Sequence, residues 1–302
     1  MSAPFAEPAT ESAVTAGILY VVATPIGNLG DLSTRAREVL ARVQLIAAED
    51  TRHTRQLLQA FGIDTALTSL HEHNELHKSE SLIARLAAGE SIALVSDAGT
   101  PLISDPGFSL VSAARARSVP VVVIPGPCAA IAALSIAGLP TDRFVFEGFL
   151  PAKHGARVTR LQQLASEQRT MIFYEAPHRL QDVLTDLAAE FGGERPASVS
   201  RELTKRFETT YNGTLAQLCE IAAINADMSR GELVIVVSGN SAATSSTQAL
   251  NADQLLRALL EELPPSQAAK VTAKLTGEKR SELYARAVKL AGGSDTDESG
   301  AT

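Results

Sequence analysis

Cysteine is scarce in this chain of 302 residues: only Cys128 and Cys219 occur, with no CxxC spacing and no cluster of histidines beside them. That excludes a disulfide-stapled fold, gives no zinc signature and fits a reducing compartment. No run approaches the roughly 20 consecutive apolar residues that cross a bilayer, and no basic stretch followed by an apolar one opens the chain. The expectation is a cytoplasmic protein with no membrane partner. Phosphate-cradling signatures are missing too. There is neither a GxGxxG nor a GxxxxGK followed by Ser or Thr, so a dinucleotide fold and a nucleoside-triphosphatase loop are both unsupported. Basic residues are outnumbered, giving a net charge of −7. This argues against a protein that coats nucleic acid non-specifically and leaves room for a local basic patch.

What is present points to α/β architecture. Apolar residues make up 45% of the chain, and its length allows two or three compact units. Residues 1–16 lack apolar periodicity and read as a disordered tail. From Ile18 the chain alternates short apolar runs with helical segments. ILYVVAT precedes STRAREVLARV, with Ser33 as the expected N-cap, and QLIAA precedes TRHTRQLLQAF. ALTSL, SIALV and PVVVIPG repeat the scheme. Fully apolar strands separated by helices of about three turns imply a parallel sheet covered on both faces, over residues 17–137. A second α/β domain, 138–239, is expected to hold a mixed sheet, with Asn212-Gly213 as a hairpin turn. Residues 240–251 read as a polar linker and 292–302 as a second disordered tail. Residues 252–291 read as three short helices, either a helix-turn-helix-like unit or a plain helical extension.

Ligands of parallel sheets bind outside the carboxyl ends of the strands. The loops expected there are TPIGNLGD (24–31), EDTRHTRQ (49–56), SDAGTPLISDPG (96–107) and PGPCAA (125–130). They are rich in Gly and Pro and poor in Lys, which suits a ligand held by backbone groups and shape rather than a polyphosphate. Gly99 lets backbone approach a ligand closely. Gly126 permits a tight turn after its strand, and the amides of Cys128 and Ala129 open a helix N-terminus that can donate to a carboxylate or purine. Asp97 and Asp105 have a second reading, as caps of the turns that follow them.

The ordered blocks TPIGNLGDLSTRA, AAEDTRHTRQLL, VSDAGTPLISDPG, IPGPCAA, GLPTDRFVFEGFLP, FYEAPHR and RELTK resemble the tetrapyrrole methylase superfamily of S-adenosylmethionine-dependent methyltransferases. Within it they resemble the branch that 2′-O-methylates a cytidine of small-subunit (16S) ribosomal RNA. The likeness covers about residues 17–240. It implies two α/β domains with S-adenosyl-L-methionine in the cleft between them, a homodimer, and 16S rRNA or the small ribosomal subunit as partner. By this resemblance Asp97, Ala98, Gly99 and Thr100 line the donor site, with Gly126, Cys128 and Ala129 beside them and Pro25 and Gly27 as cleft-forming backbone. Tyr174, Ala176, Gly231 and Glu232 lie at strand boundaries from which they close over the adenine, or are ordinary strand-end residues. Cys128 is read as a packing residue rather than a nucleophile, because transfer from a sulfonium needs no covalent enzyme intermediate.

On the substrate side, a ribose 2′-hydroxyl needs its proton drawn off or strong orientation before it attacks. Asp50, Arg52 and His53 are the expected catalytic cluster, with Asp50 or His53 as base. Arg55, His71, His73, Lys153, Arg179, Arg201 and Lys205 are the expected RNA contacts. The plainer reading makes the EDTRHTRQ charges a solvated rim in which an Arg–Asp pair fixes the loop. No metal is expected, since an HxH pair without a placed third ligand is weak evidence. Two other functions fit parts of the chain: a small-molecule methyltransferase of the same superfamily, and a non-catalytic RNA-binding ribosome-assembly protein.

Overall fold

Runs of three or four residues closed off by polar, Gly or Pro residues make the strands of the first sheet. In the computed structural model, which describes residues 17–240 and 252–291, these are β1 (Leu19–Val22), β2 (Leu45–Ala48), β3 (Leu67–Ser69), β4 (Ile92–Val95) and β5 (Val121–Ile124). All pair in parallel, in the order β3-β2-β4-β1-β5. β2 and β4 are buried at every residue, so both faces must be covered. Helices α1 (Thr34–Arg42) and α2 (Thr51–Ala60) bury Val39, Leu40 and Leu58 with Tyr20, Val22 and Ile46 on one face. On the other, α3 (Glu75–Ala87) and α4 (Phe108–Ala116) bury Leu82, Leu86 and Leu110 with Leu19, Ile92 and Leu94. Ser33 caps α1 through a hydrogen bond accepted from the Ala36 amide at 3.1 Å, as its sequence position predicts.

The second sheet holds β6 (Phe144–Phe149), β7 (Thr170–Glu175), β8 (Pro196–Arg201), β9 (Thr209–Thr214) and β10 (Leu233–Val237), in the order β6-β7-β10-β8-β9. It is mixed: β6 and β7 run parallel, and every other pair is antiparallel. Helices α6 (His154–Leu164), α7 (Leu180–Phe191) and α8 (Leu215–Ile224) cover one face, around Phe173. The other face meets α5 (Ala129–Ile136), whose Ala130, Ala133 and Leu134 pack with Ile172, Val234, Val236 and Ile26 of the β1 loop. Helix α5 thereby joins the two sheets.

The turn expected at Asn212-Gly213 is not there. Both residues lie inside β9, and the β8–β9 connection is residues 202–208, where Glu202 and Thr204 take positive φ. The Asn-Gly pair instead leads into the capping box of α8. Thr214 and Gln217 bond reciprocally, and the Gln217 side chain folds back where a Cβ at Gly213 would meet it at 2.8 Å.

Contacts divide the chain into one compact unit up to Gly239, holding both sheets, and a second from Asn240 onward. In the second, α9 (Ala252–Leu260), α10 (Pro265–Thr276) and α11 (Arg280–Ala291) bury Leu256, Ala268, Ala269, Leu283 and Ala287. Gly277, in the left-handed region at φ 75°, ends α10. The tails expected at 1–16 and 292–302, and the expected linker beyond Asn240, lie outside the described residues. Among the described residues no helix is long and apolar enough to cross a membrane.

Candidate functional site

Three loops at the carboxyl end of the first sheet are laced together by backbone. Thr24 and Gly99 form an isolated antiparallel bridge, with N–H to O distances of 2.8 and 3.1 Å, and the Thr24 hydroxyl donates to the Ser96 carbonyl. The Thr100 hydroxyl donates to the Pro127 carbonyl at 2.9 Å. Gly99 sits at φ +86°, and a Cβ there would stand 3.2 Å from Ile26, so the loop needs glycine on two counts. Gly107, at φ +126°, starts α4 with no room for a side chain beside Leu94.

Above these loops a cavity of about 410 Å³ opens between the two sheets. The first sheet contributes Asp97, Ala98, Gly99, Thr100, Cys128 and Ala129, and the second contributes Tyr174, Ala176, Gly231 and Glu232. The remaining expected donor residues stand back from it. A Cβ on Gly126 would meet Ala23 at 2.9 Å, and one on Gly27 would meet the Lys205 side chain, so both glycines leave room for a neighbour at exposed positions outside the lining. Pro25 does not line the cavity, but its neighbour Ile26 does.

Sequence reading missed several lining residues. Ile103, Phe149, Leu203, Leu233 and Val234 form much of the apolar wall, and Ser104 and Asp105 add polar groups to the lining. Burial, with Glu49 and Asp97 nearby, pushes the pKa of Asp105 up to about 6. Glu49 is raised as well, by burial and then by Asp97. Asp97 itself accepts a hydrogen bond from the Asp50 amide at 2.9 Å, which ties the cavity loop to the start of α2. Tyr174 accepts from the Ala130 amide at 3.2 Å, and burial drives its hydroxyl well above the ordinary tyrosine range.

The expected catalytic cluster lies outside the cavity lining. Asp50 caps α2, accepting from the Arg52 amide at 2.8 Å, and its carboxylate takes both Nε and Nη2 of Arg52 at 3.1 and 2.7 Å. Those bonds hold the Asp50 carboxyl far below the usual carboxylate range. Arg52, His53 and Arg55 are exposed on the first turn of α2. His73 is exposed, and half-buried His71 is bound through Nε2 to Asn74 at 3.0 Å.

Three of the expected RNA-binding cations are engaged internally. Arg179 donates to the Leu150 and Pro151 carbonyls, and its Nε lies 3.1 Å from the fully buried Glu175 in an ion pair too bent for a hydrogen bond. Arg201 is buried and donates to the Arg230 carbonyl. Lys205 bridges Glu202 and Glu232 at 2.9 and 3.0 Å. Lys153 alone of the second-sheet group is exposed. The sequence showed these cations clustered; Glu175 and Glu202 pair with them from three or four residues away, but the Leu150, Pro151 and Arg230 carbonyls and Glu232 come from segments distant along the chain.

The chain matches the family described as Tetrapyrrole (Corrin/Porphyrin) Methylases over residues 18–219, and the RsmI C-terminal HTH domain over residues 246–291. It is 58% identical to the Ribosomal RNA small subunit methyltransferase I of Xylella fastidiosa strain Temecula1, over 89% of this chain and 98% of that protein. Identity to the protein of the same name in Escherichia coli O157:H7 is 50%, over 91% and 96%. Among solved structures, the methyltransferase CobJ aligns with a TM-score of 0.56 at 20% identity, covering 75% of this chain and 95% of that one. Diphthine synthase aligns at 0.53 and 14%, covering 73% and 89%. At such identities the two structures speak for the fold.

Proposed function

We propose that this chain, which belongs to the tetrapyrrole methylase family, is an S-adenosylmethionine-dependent methyltransferase that modifies the 2′-hydroxyl of a cytidine in the decoding region of 16S rRNA. The observation that carries the donor half is the cavity between the sheets. Its apolar wall of Tyr174, Leu203, Leu233 and Val234 suits a purine, and the amides at the start of α5 suit a carboxylate. Asp105 supplies the remaining match: a half-buried carboxyl with a raised pKa gains most from a cationic ligand. The name shared by the relatives supports the RNA half.

S-adenosylmethionine supplies an electrophilic methyl group on a sulfonium. The chain's own work is placement. Asp97, Ala98, Gly99, Thr100 and Ala129 hold the donor against the first sheet, while Tyr174, Ala176, Gly231 and Glu232 close over it from the second. Residues that hold the acceptor hydroxyl fixed against the donor site would lower the barrier by about several kcal/mol without a base. His53 is the proton acceptor in this reading, because Arg52 already engages Asp50 and leaves it a weak base. Arg52, Arg55, His73 and Lys153 face the RNA phosphates. A homodimer is supported by apolar exposure around edge strand β5 and α5, where Val123, Ile131 and Ile136 are exposed.

Incorporation of tritium from labelled donor into small ribosomal subunits, purified from a strain lacking the protein, tests the reading. Label in the 16S rRNA is expected. Donor binding without any transfer to those subunits contradicts it.

A further inference from the structure

Phe149 is the last residue of β6, and it combines two properties that rarely coincide. Its ring lines the cavity, and yet the residue is 57% exposed. An irregularity in the strand puts it there. Phe146 pairs with Ile172, but Gly148 pairs with Phe173 and Phe149 with Tyr174, so the β6 register slips by one residue between Phe146 and Gly148. In a regular strand residues three apart point to opposite faces. The extra residue turns Phe149 to the side of Phe146 and Tyr174, as bulges do where a side chain must be re-aimed. Gly148 makes this possible at φ +65°, where a Cβ would stand 3.2 Å from the Ser104 hydroxyl on the facing loop.

The ring is backed rigidly. It meets Tyr174 edge to face at 5.6 Å, Tyr174 meets Phe146 in the same way at 4.9 Å, and the Tyr174 hydroxyl is fixed by the Ala130 amide. The chain just beyond is pinned as well, by Arg179 at the Leu150 and Pro151 carbonyls. Among the described residues lining the cavity, Phe149 is the one exposed aromatic. A flat apolar face held firm at the mouth, with no polar atom to satisfy, matches a flat ligand that arrives from solvent.

We propose that the exposed face of Phe149 is the stacking platform for the nucleobase of the acceptor nucleotide, swung out of its own RNA stack so that its ribose enters the cavity mouth. The proposal rests on the RNA-methyltransferase reading above. A 2′-hydroxyl within a stacked strand cannot reach a methyl group held between two sheets. Extruding the nucleotide exposes a base face that needs a new partner, and an aromatic side chain supplies it whatever the base. The base identity is read elsewhere.

The test compares Phe149→Ala, Phe149→Leu and Phe149→Tyr in the full chain, each checked for an unchanged melting temperature. Steady-state methylation of small subunits lacking the modification is measured with labelled donor, and donor affinity by calorimetry. The alanine variant should raise the KM for subunits roughly tenfold with unchanged donor affinity. Tyrosine should restore the wild-type value and leucine should not. A wild-type KM in the alanine variant, or rescue by leucine as good as by tyrosine, overturns the platform alone. Loss of donor affinity in step with KM also overturns it, since the ring then belongs to the donor's adenine. Absence of transfer by the wild-type enzyme overturns the RNA reading and the platform together.

Discussion

Asp105 and Asp50 stand at the same end of the first sheet and carry opposite perturbations. Asp105 lines the cavity, and burial, with Glu49 and Asp97 nearby, raises its pKa to about 6. Asp50 lies at the exposed start of α2, and Arg52 pulls its pKa well below the usual range. One side chain is thus left wanting a positive ligand, and the other already has one. The contrast separates the cavity interior, which the proposed function gives to the donor, from an exposed rim, which it gives to RNA, although the Asp50 amide bonded to Asp97 joins them mechanically.

The interior half breaks most completely at Gly99. Gly99→Val puts a branched side chain at φ +86° against Ile26, on the loop that lines the cavity. Donor binding should vanish in a calorimetric titration while circular dichroism stays native. Unchanged affinity would remove this loop from the site.

Asp105→Asn sharpens the contrast through its pH dependence. Donor affinity should drop at least about tenfold at pH 7.5. In the wild type it should weaken as pH falls through about 6, where the carboxyl takes up its proton. The stability sign is the reverse. A carboxyl with a raised folded pKa stabilises the donor-free protein below its unfolded pKa, and that contribution is lost as pH rises through about 6. The asparagine variant without donor should therefore melt higher than the wild type by roughly 2 °C at pH 7.5 and show no gain at pH 4. Thermal scans at the two pH values check this.

At the rim the expected effects are smaller and fall on RNA. His53→Ala should slow single-turnover methylation at saturating donor by about tenfold or more. Asp50→Asn should be milder, acting only through the freed Arg52. Equal wild-type rates in both variants would leave orientation as the main catalytic device. The smallest effect should come from ending the chain at Gly239. Because the first unit has cores of its own, donor binding should persist while affinity for small subunits weakens modestly. Loss of donor binding would make the helical unit structural.

The fold was largely legible, because the strands of the first sheet are short apolar runs closed off by polar, Gly or Pro residues and alternate with helical segments, the first of them capped by Ser33. The failure at Asn212-Gly213 is instructive. A strong turn signal was overridden by strand pairing with β8, and Gly213 leaves the room that the Gln217 side chain of the following capping box occupies. The cavity lining was legible where strand-end loops make it, at Asp97 to Thr100 and at Cys128-Ala129. It was illegible where distant segments converge. Nothing local marks Leu203, Val234 or the re-aimed Phe149 as neighbours of the SDAGT loop, and nothing local shows that Arg179 and Arg201 are committed to carbonyls. The sequence left Asp105 open between a cap and a ligand-facing carboxyl; its half-burial at the cavity is visible only in the folded chain.

The central claim is methyl transfer from the cavity to a ribose oxygen. Nuclease mapping and mass spectrometry of 16S rRNA, taken from subunits methylated in vitro with deuterated donor, tests it directly. The account predicts one labelled methyl group on the ribose of a single decoding-region cytidine. Label on a base, or none in the rRNA of an enzyme that binds its donor, would contradict it.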